Sequence, residues 1–296
     1  MIRGIIDSGA RLHKSEILTS QLYEFDREPR TASKICIKYV INGEENYQLD
    51  HSIYTISPRR FLLLEQGSTY TTHLSSKQLN EGICFFIDRE IIRDVVFTLS
   101  NGGSSKCLDN VFTELDTGFE ITEGLYRDNE CAFGQSLAAI GHQVAQNGGR
   151  LKTFNNDHLY GLIEQLVCSQ RVVTGRIRNI AAKKPSVQKE LYRRIEAGRN
   201  YMNDNLTQEL TIDGIANAAN LSPFHFMRTF KQVYSVSPYQ YLLDRRLQHA
   251  YQLNELKAYP VSEIAILCGF TDIFTFSRAF KKKFGKSPKL MQNQVA

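Results

Sequence analysis

The chain has 296 residues, 42% of them hydrophobic, and a formal net charge of +5. This length favours two domains, each large enough to bury a core of its own. No apolar run reaches membrane-spanning length, and Met1 to Gly4 do not lead into the apolar core of a signal peptide. We therefore expect a cytoplasmic protein with no membrane partner.

The charges are distributed unevenly along the chain. Residues 1–170 carry 16 Lys and Arg against 22 Asp and Glu, whereas residues 171–185 carry five bases and no acid. Residues 186–296 carry 15 bases and nine acids. We predict three regions with these bounds, of which the last meets a polyanion. The basic linker at 171–185 is either a solvated tether, which we favour, or an additional attraction for phosphates.

The first region shows the pattern of short strands separated by turn residues. A predicted strand with Ile35, Ile37, Tyr39 and Ile41 on one face ends at Asn42-Gly43. Further strand-like runs extend over 47–49, 53–56, 61–64, 69–74 and 83–87. Such runs are typical of a small β-barrel or sandwich.

Helical patterns follow the strands. Residues 89–99 form a predicted helix after Asp88, and residues 101–118 are expected to be irregular. Two further helices are predicted around 133–144 and 155–170. The first carries one apolar stripe, formed by Phe133, Leu137, Ile140 and Val144. This stripe packs either on its own barrel or on a second copy of the chain, and its four residues are our candidates for dimerisation.

Residue types that a catalytic or metal-binding barrel needs are not clustered in this region. A metal-dependent barrel requires grouped His ligands, typically two that lie one residue apart, with a carboxylate. His13, His51 and His73 are isolated, and the chain has no His-x-His pair. Its six cysteines are scattered without a CxxC pair, which argues against a disulfide framework or a zinc knuckle. We predict a binding domain rather than an enzyme, with no metal and no cofactor.

Residues 211–290 contain the same helix-turn-helix pattern twice, about fifty positions apart. The first copy reads Ile215-Ala216, Asn220-Leu221-Ser222, Phe226-x-Arg228-x-Phe230-Lys231 and Ser237-Pro238. The second copy reads Ile264-Ala265, Gly269-Phe270-Thr271, Phe276-x-Arg278-x-Phe280-Lys281 and Ser287-Pro288. Repetition at a fixed interval indicates one supersecondary unit used twice. Two short helices joined by a tight turn, the second of them cationic, are typical of a DNA-reading motif.

We term the second helix of each copy its reading helix, and we predict these helices over residues 222–233 and 272–284. The expected buried stripes are Phe226, Phe230 and Val233 in the first copy and Phe276, Phe280 and Phe284 in the second. The expected outward side chains are Phe224, Met227, Arg228 and Lys231, and Phe274, Ser277, Arg278 and Lys281. Arginine is the usual reader of guanine, an apolar side chain can contact a thymine methyl, and lysine suits phosphates.

A longer helix is predicted between the two copies, from Ser237-Pro238 to about Leu256. Its length of roughly 28 Å would hold the reading helices near one DNA turn, about 34 Å, apart. One chain would then enter two successive major grooves. Arg245 and Arg246 on this helix either contact phosphate or brace the two copies, and the sequence leaves both possibilities open.

These residues resemble the AraC/XylS family of bacterial transcription regulators, with a dense match over 186–290. The match includes Leu221-Ser222-Pro223-x-His225-Phe226, Ser237-Pro238-Tyr239-x-Tyr241-Leu242, Arg245-Arg246-Leu247 and Phe276-Ser277-Arg278-Ala279-Phe280-Lys281. The resemblance implies an activator that binds promoter DNA and contacts RNA polymerase, with outward residues of both reading helices, His225 and Thr275 included, near the DNA. The first 170 residues are similar to the cupin-like domain that many members carry. In those members, a small effector binds inside the barrel and the trailing helices form a homodimer.

The chain departs from the family pattern at two places. Asn220 stands where the family commonly has Gly, which is tolerable because Asn adopts the left-handed conformation more readily than most residues. Ile273-Phe274-Thr275 replaces a stretch that is more often polar, so the second reading helix is expected to read its half-site weakly or by apolar contact.

Two alternative functions remain beside an effector-controlled regulator. In one, the same DNA-binding module is controlled by a protein that docks on the first domain. In the other, the chain is a DNA-targeted enzyme, like alkylation-repair proteins that combine such helices with a reactive, metal-bound Cys cluster. The scattered cysteines argue against the enzyme.

Overall fold

The protein is described here from a computed structural model that covers residues 2–12, 14–49, 52–100 and 119–293. The chain forms two compact units, unit 1 over Met1–Thr174 and unit 2 over Gly175–Ala296. The segment 101–118, predicted to be irregular, lies outside the described residues, as do His13 and His51.

Unit 1 contains an antiparallel sheet of eight strands. The strands are β1 Ile2–Leu12, β2 Ser15–Thr31, β3 Ile35–Asn42, β4 Glu45–Leu49, β5 Ser52–Ile56, β6 Arg60–Leu64, β7 Thr69–Ile87 and β8 Gly124–Arg127. They pair in the order β1-β2-β7-β3-β6-β8, and β4 pairs with both β5 and β7. Within the described residues, no pairing joins β1 to β8, so the sheet is not closed into the predicted cupin-like barrel.

Three of the predicted strands match β3, β5 and β6 closely, and β4 begins two residues before the predicted run. The runs predicted at 69–74 and 83–87 are the two ends of one 19-residue strand, β7. This strand stays continuous through its polar centre because β2 pairs along most of its length. Strands β1, β2 and β8 were not predicted.

One face of the sheet packs on the helices of unit 1. These helices are α1 Arg89–Ser100, α2 Ala132–Gln146 and α3 Asn156–Arg178. The shared core includes Ile37, Phe85 and Leu166. Helix α2 lies so close to the sheet that a Cβ atom at Gly141 would be only 2.7 Å from Cε1 of Tyr39.

The proposed dimerisation stripe lies inside this core. Phe133 and Leu137 are 0% exposed and Val144 is 1% exposed, and Ile140 is partly buried against the same cluster. Side chains buried by their own sheet cannot form a contact with a second chain. Phe133, Leu137 and Val144 therefore pack on the chain's own sheet, and a role in dimerisation stays a prediction only for the partly buried Ile140.

The other face of the sheet encloses a buried ion pair within a second apolar cluster. Lys38 Nζ lies 3.0 Å from Glu45 Oε1, and both side chains are 4% exposed. Lys38 also donates to Ser20 Oγ at 3.2 Å. Burial lowers the pKa of Lys38, but the charges of Cys84 and Glu45 outweigh burial and raise that pKa overall. The pKa of Cys84 is lowered to about 7. The largest cause is a hydrogen bond from Cys36, and the positive charge of Lys38 also lowers it.

The region predicted as a linker is largely helical. Helix α3 continues to Arg178, and the next helix begins at Pro185. Val173, Ile177 and Ile180 are buried, so this stretch carries packed apolar residues between its basic ones. The prediction of a solvated tether over 171–185 is corrected to a short connection at 179–184.

Unit 2 is entirely helical among its described residues. Its helices are α4 Pro185–Asp204, α5 Ile212–Ala218, α6 Pro223–Tyr234, α7 Pro238–Leu256, α8 Val261–Leu267, α9 Ile273–Phe284 and α10 Pro288–Asn293. Lys184 occupies the N-cap position of α4 without a side-chain hydrogen bond, and Pro185 stands in the first turn. No helix in the described part of either unit is both long and apolar enough to cross a membrane.

Candidate nucleic-acid interface

The first copy consists of α5, a turn and the reading helix α6. Ser222 caps α6 by accepting a hydrogen bond from the backbone N of His225 at 3.4 Å, and Pro223 occupies the first turn. Asn220 in the turn has φ 51°, the left-handed conformation expected at this position. The predicted start and turn of this copy are therefore confirmed.

The buried side of α6 sets the orientation of the helix. Phe226 and Phe230 are 0% exposed. A Cβ at Gly198 of α4 would lie 2.5 Å from Cε2 of Phe226, so only glycine permits this close approach. At the end of α6, Tyr234 donates a hydrogen bond to Glu196. Glu196 is itself paired with Arg199 at 2.7 Å.

The second copy consists of α8, a turn and the reading helix α9. Asp272 caps α9 by accepting hydrogen bonds from the backbone N of Phe274 at 3.2 Å and of Thr275 at 2.6 Å. The pKa of Asp272 is lowered, mostly by a hydrogen bond from the Thr275 side chain and next by these two backbone hydrogen bonds. A carboxylate at this end also interacts favourably with the helix dipole.

The two copies differ by one residue in the turn. The backbone N of Leu221 donates to the Ala216 carbonyl, and that of Phe270 donates to the Ala265 carbonyl, both at 3.0 Å. Phe270 therefore corresponds to Leu221, 49 positions earlier, whereas the caps Ser222 and Asp272 are 50 positions apart. The inserted residue is Thr271, and from the caps onward both reading helices have the same register.

Arginines of α7 tie this helix to α4 and to the segment between α4 and α5. Arg246 donates to the carbonyl of Leu206 at 2.8 Å and to that of Gln208 at 2.6 Å. Arg245 donates to Asn203 Oδ1 at 3.1 Å and to Gln248 Oε1 at 2.9 Å. Both arginines thus donate hydrogen bonds to protein groups. Of the two alternatives left open by the sequence, these contacts favour bracing over phosphate contact.

A further contact between α7 and α9 was not expected from the sequence. Lys283 lies 2.5 Å from Asp244 Oδ1 and also donates to the Asp244 carbonyl at 3.0 Å. Lys283 stands two residues after Lys281 in a run of three lysines, so the sequence alone does not show which of these lysines pairs with Asp244. Lys281 is exposed.

The outward side chains of both reading helices lie where the sequence placed them. Phe224 is 72% exposed and Phe274 is 76% exposed. The other exposed candidates are His225, Met227, Arg228, Lys231, Thr275, Arg278 and Lys281, and Ser277 is half-buried. The prediction that these side chains face away from the core is confirmed for all except Ser277. Their contact with DNA stays a prediction.

Unit 1 contributes no metal cluster that the described residues reveal. Within 2–12, 14–49, 52–100 and 119–293, no three His, Cys, Asp or Glu side chains come close enough to hold a metal ion. A surface cavity of about 330 Å³ is lined by Asp7, Ser20, Gln21 and Arg150 together with the loop 147–149.

Comparison with known proteins supports the interpretation of the repeat. A family described as "Helix-turn-helix domain" matches residues 215–294. The probable transcriptional regulator LumQ of Photobacterium leiognathi is 34% identical over 93 residues, 31% of this chain and 38% of the relative. The MmsAB operon regulatory protein of Pseudomonas aeruginosa is 25% identical over 174 residues, 55% of this chain and 57% of the relative.

A solved transcriptional regulator of Chromobacterium violaceum with an AraC-type DNA-binding domain is 28% identical. That alignment covers 35% of this chain and 92% of the regulator, with a TM-score of 0.33. The chain spans less than two thirds of the length of the two curated relatives described above. The duplicated pattern and the matched family show that residues 215–294 form a helix-turn-helix domain, and the curated relatives to which this chain is similar are described as regulators.

Proposed function

We propose that this chain is a cytoplasmic, sequence-specific DNA-binding regulator whose reading helices α6 and α9 enter two successive major grooves of promoter DNA. One observation carries the proposal: from their caps onward, both helices expose an aromatic residue at the second position, an arginine at the sixth and a lysine at the ninth. The same set of outward groups occurs twice on one all-helical unit, which matches the repeated form of duplex DNA.

The physical chemistry of this set suits a base-reading surface. Arg228 and Arg278 are exposed, and the planar guanidinium group can donate two parallel hydrogen bonds to guanine O6 and N7. Lys231 and Lys281 lie three residues further along each helix, where they suit phosphates that flank the groove. Arg246 ties α7 to the segment before α5, and the Asp244–Lys283 pair ties α7 to α9, so little ordering is needed on binding.

The resemblance to the AraC/XylS regulators supports two further parts of the proposal. We infer that the bound protein activates transcription by contacting RNA polymerase, and that a small-molecule effector acts through unit 1. The cavity of about 330 Å³ in unit 1, lined by Arg150 and Asp7, supports a small polar ligand. Thermal-shift titration of cellular metabolites against the full chain separates this control from a protein partner, because one compound would then stabilise the protein reproducibly.

Replacing Arg228 tests the base-reading role. Arg228→Ala is expected to reduce discrimination between the operator and random DNA by about 1–3 kcal/mol, with a smaller loss on random DNA, because guanine contact carries sequence information. Competition binding with the full chain measures both affinities. The matched variant Arg228→Lys keeps the positive charge but lacks the planar group with two parallel donors. It should therefore retain binding to random DNA while losing discrimination. Equal losses on both DNAs would assign Arg228 to the backbone instead.

Replacing Lys281 tests the phosphate contact. Lys281→Ala is expected to weaken binding to operator and random DNA comparably and to reduce the slope of log K against log salt by about 0.9, because one fewer phosphate is neutralised. Titrations at several salt concentrations measure the slope. Lys281→Arg should restore it. A slope that does not change in the Ala variant would remove Lys281 from the phosphate contacts.

A further inference from the structure

The two outward phenylalanines of the reading helices lie mostly outside the core of unit 2. Every other phenylalanine of these two helices lies in the core or packs against it, with Phe226, Phe230, Phe276 and Phe280 at 0% exposure. Phe224 and Phe274 are 72% and 76% exposed. Both stand two residues after a helix cap, at positions 222 and 272. Two large apolar side chains thus protrude at equivalent places on the two copies.

We propose that Phe224 and Phe274 each contact the C5-methyl group of a thymine in the major groove, and thereby select one thymine in each half-site of the operator. The inference rests on the proposed DNA-binding function and adds the base that these residues recognise. The thymine methyl is the apolar group that the major groove presents, and the other edges there are hydrogen-bond donors and acceptors.

The neighbours of each phenylalanine favour this occupant. Met227 is 42% exposed beside Phe224, and Ile273 is 38% exposed beside Phe274, so each helix presents a small apolar patch. Exposed Arg228 and Arg278 border these patches. An apolar patch edged by cations suits an apolar group on a polyanion better than the apolar surface of a protein partner.

The helix geometry also predicts where the thymine lies. Phe224 and Arg228 are four residues apart, as are Phe274 and Arg278, so each pair shares one face. The rise between them is about 6 Å, and base pairs are stacked about 3.4 Å apart. In each half-site the thymine should therefore lie within about two base pairs of the guanine that the arginine reads.

Deoxyuridine tests the proposal, because it differs from thymidine only by the missing methyl. The full chain first selects an operator from random duplexes, and each thymine is then replaced singly by deoxyuridine. We expect one position in each half-site where the replacement weakens binding about fourfold, the contribution of one buried methyl group. Phe224→Ala should abolish the effect at one position and Phe274→Ala at the other.

A matched control separates recognition from general loss of exposed apolar area. Tyr239 is 72% exposed but lies on α7, so Tyr239→Ala should keep the methyl dependence at both positions. The inference is overturned if the operator binds equally well with deoxyuridine throughout, or if the methyl dependence persists in both Phe variants. Failure to select any operator would overturn the proposed function itself.

Discussion

Phe276→Ala is expected to lower the free energy of unfolding of unit 2 by about 3–5 kcal/mol, because it leaves a cavity in a closely packed site. Phe276 is 0% exposed. Its ring centroid lies 5.1 Å from that of Phe270 and 5.6 Å from that of Phe280, and the cluster reaches Leu247 and Ala250 of α7. Urea unfolding of the full chain, followed by hydrogen exchange of α7 and α9, measures the loss.

Phe274→Ala is the matched control, because it makes the same chemical change two residues away on the same helix. Phe274 is 76% exposed, so this variant should change stability by no more than about 0.5 kcal/mol. DNA binding should fall in both variants, but only Phe274→Ala should lose binding while remaining folded. Equal stability of the two variants would contradict the packing of α9 described here.

Lys38→Met is expected to destabilise unit 1 by about 3–5 kcal/mol, because it leaves the carboxylate of Glu45 buried without its partner. Both side chains of the pair are 4% exposed, and Tyr47 donates the remaining side-chain hydrogen bond to Glu45 at 3.3 Å. Since the pKa of Lys38 is raised, its contribution is complete at neutral pH and is lost only as the pH rises through that raised value.

Lys14→Met is the control for Lys38→Met, because Lys14 forms an ion pair of similar length on the surface. Lys14 Nζ lies 2.8 Å from Glu90 Oε2, with side chains 70% and 68% exposed. Solvent screens this pair, so its loss should cost far less stability than the loss of the buried pair. The double variant Lys38→Met with Glu45→Leu should recover most of the loss, since it buries no charge. A cost for Lys38→Met no larger than that for Lys14→Met would contradict the burial of the pair.

The start and end of the helices in unit 2 could be predicted closely from sequence because their signals are local. Ser222-Pro223 and Ser237-Pro238 place a cap and a first-turn proline side by side, and both helices begin there. The second copy has no such proline at its cap, and Asp272 still starts α9 because its carboxylate satisfies two backbone N–H groups.

The long strands of unit 1 were harder to predict. Residues 15–31 end in a polar, charged stretch, and the centre of β7 is polar as well. Neither part has the alternation that marks a strand. Each is a strand because it pairs with the other, with Leu22 opposite Asn80 and Asp26 opposite His73. Pairing of this kind joins residues about fifty to sixty positions apart, and no sequence window contains it.

Local signals predicted the duplicated helix-turn-helix, the starts of both reading helices and their outward side chains except Ser277, because caps and helical periodicity act within a few residues. Contacts between distant segments were needed to choose between partners that look alike in sequence. In the folded chain, the apolar stripe of α2 packs on the sheet, and Arg246 donates to backbone carbonyls of its own unit. Likewise, Lys283 pairs with Asp244, whereas Lys281 is exposed. Each of these choices depends on which group lies nearest in space, and that distance is set by packing between segments far apart in the chain.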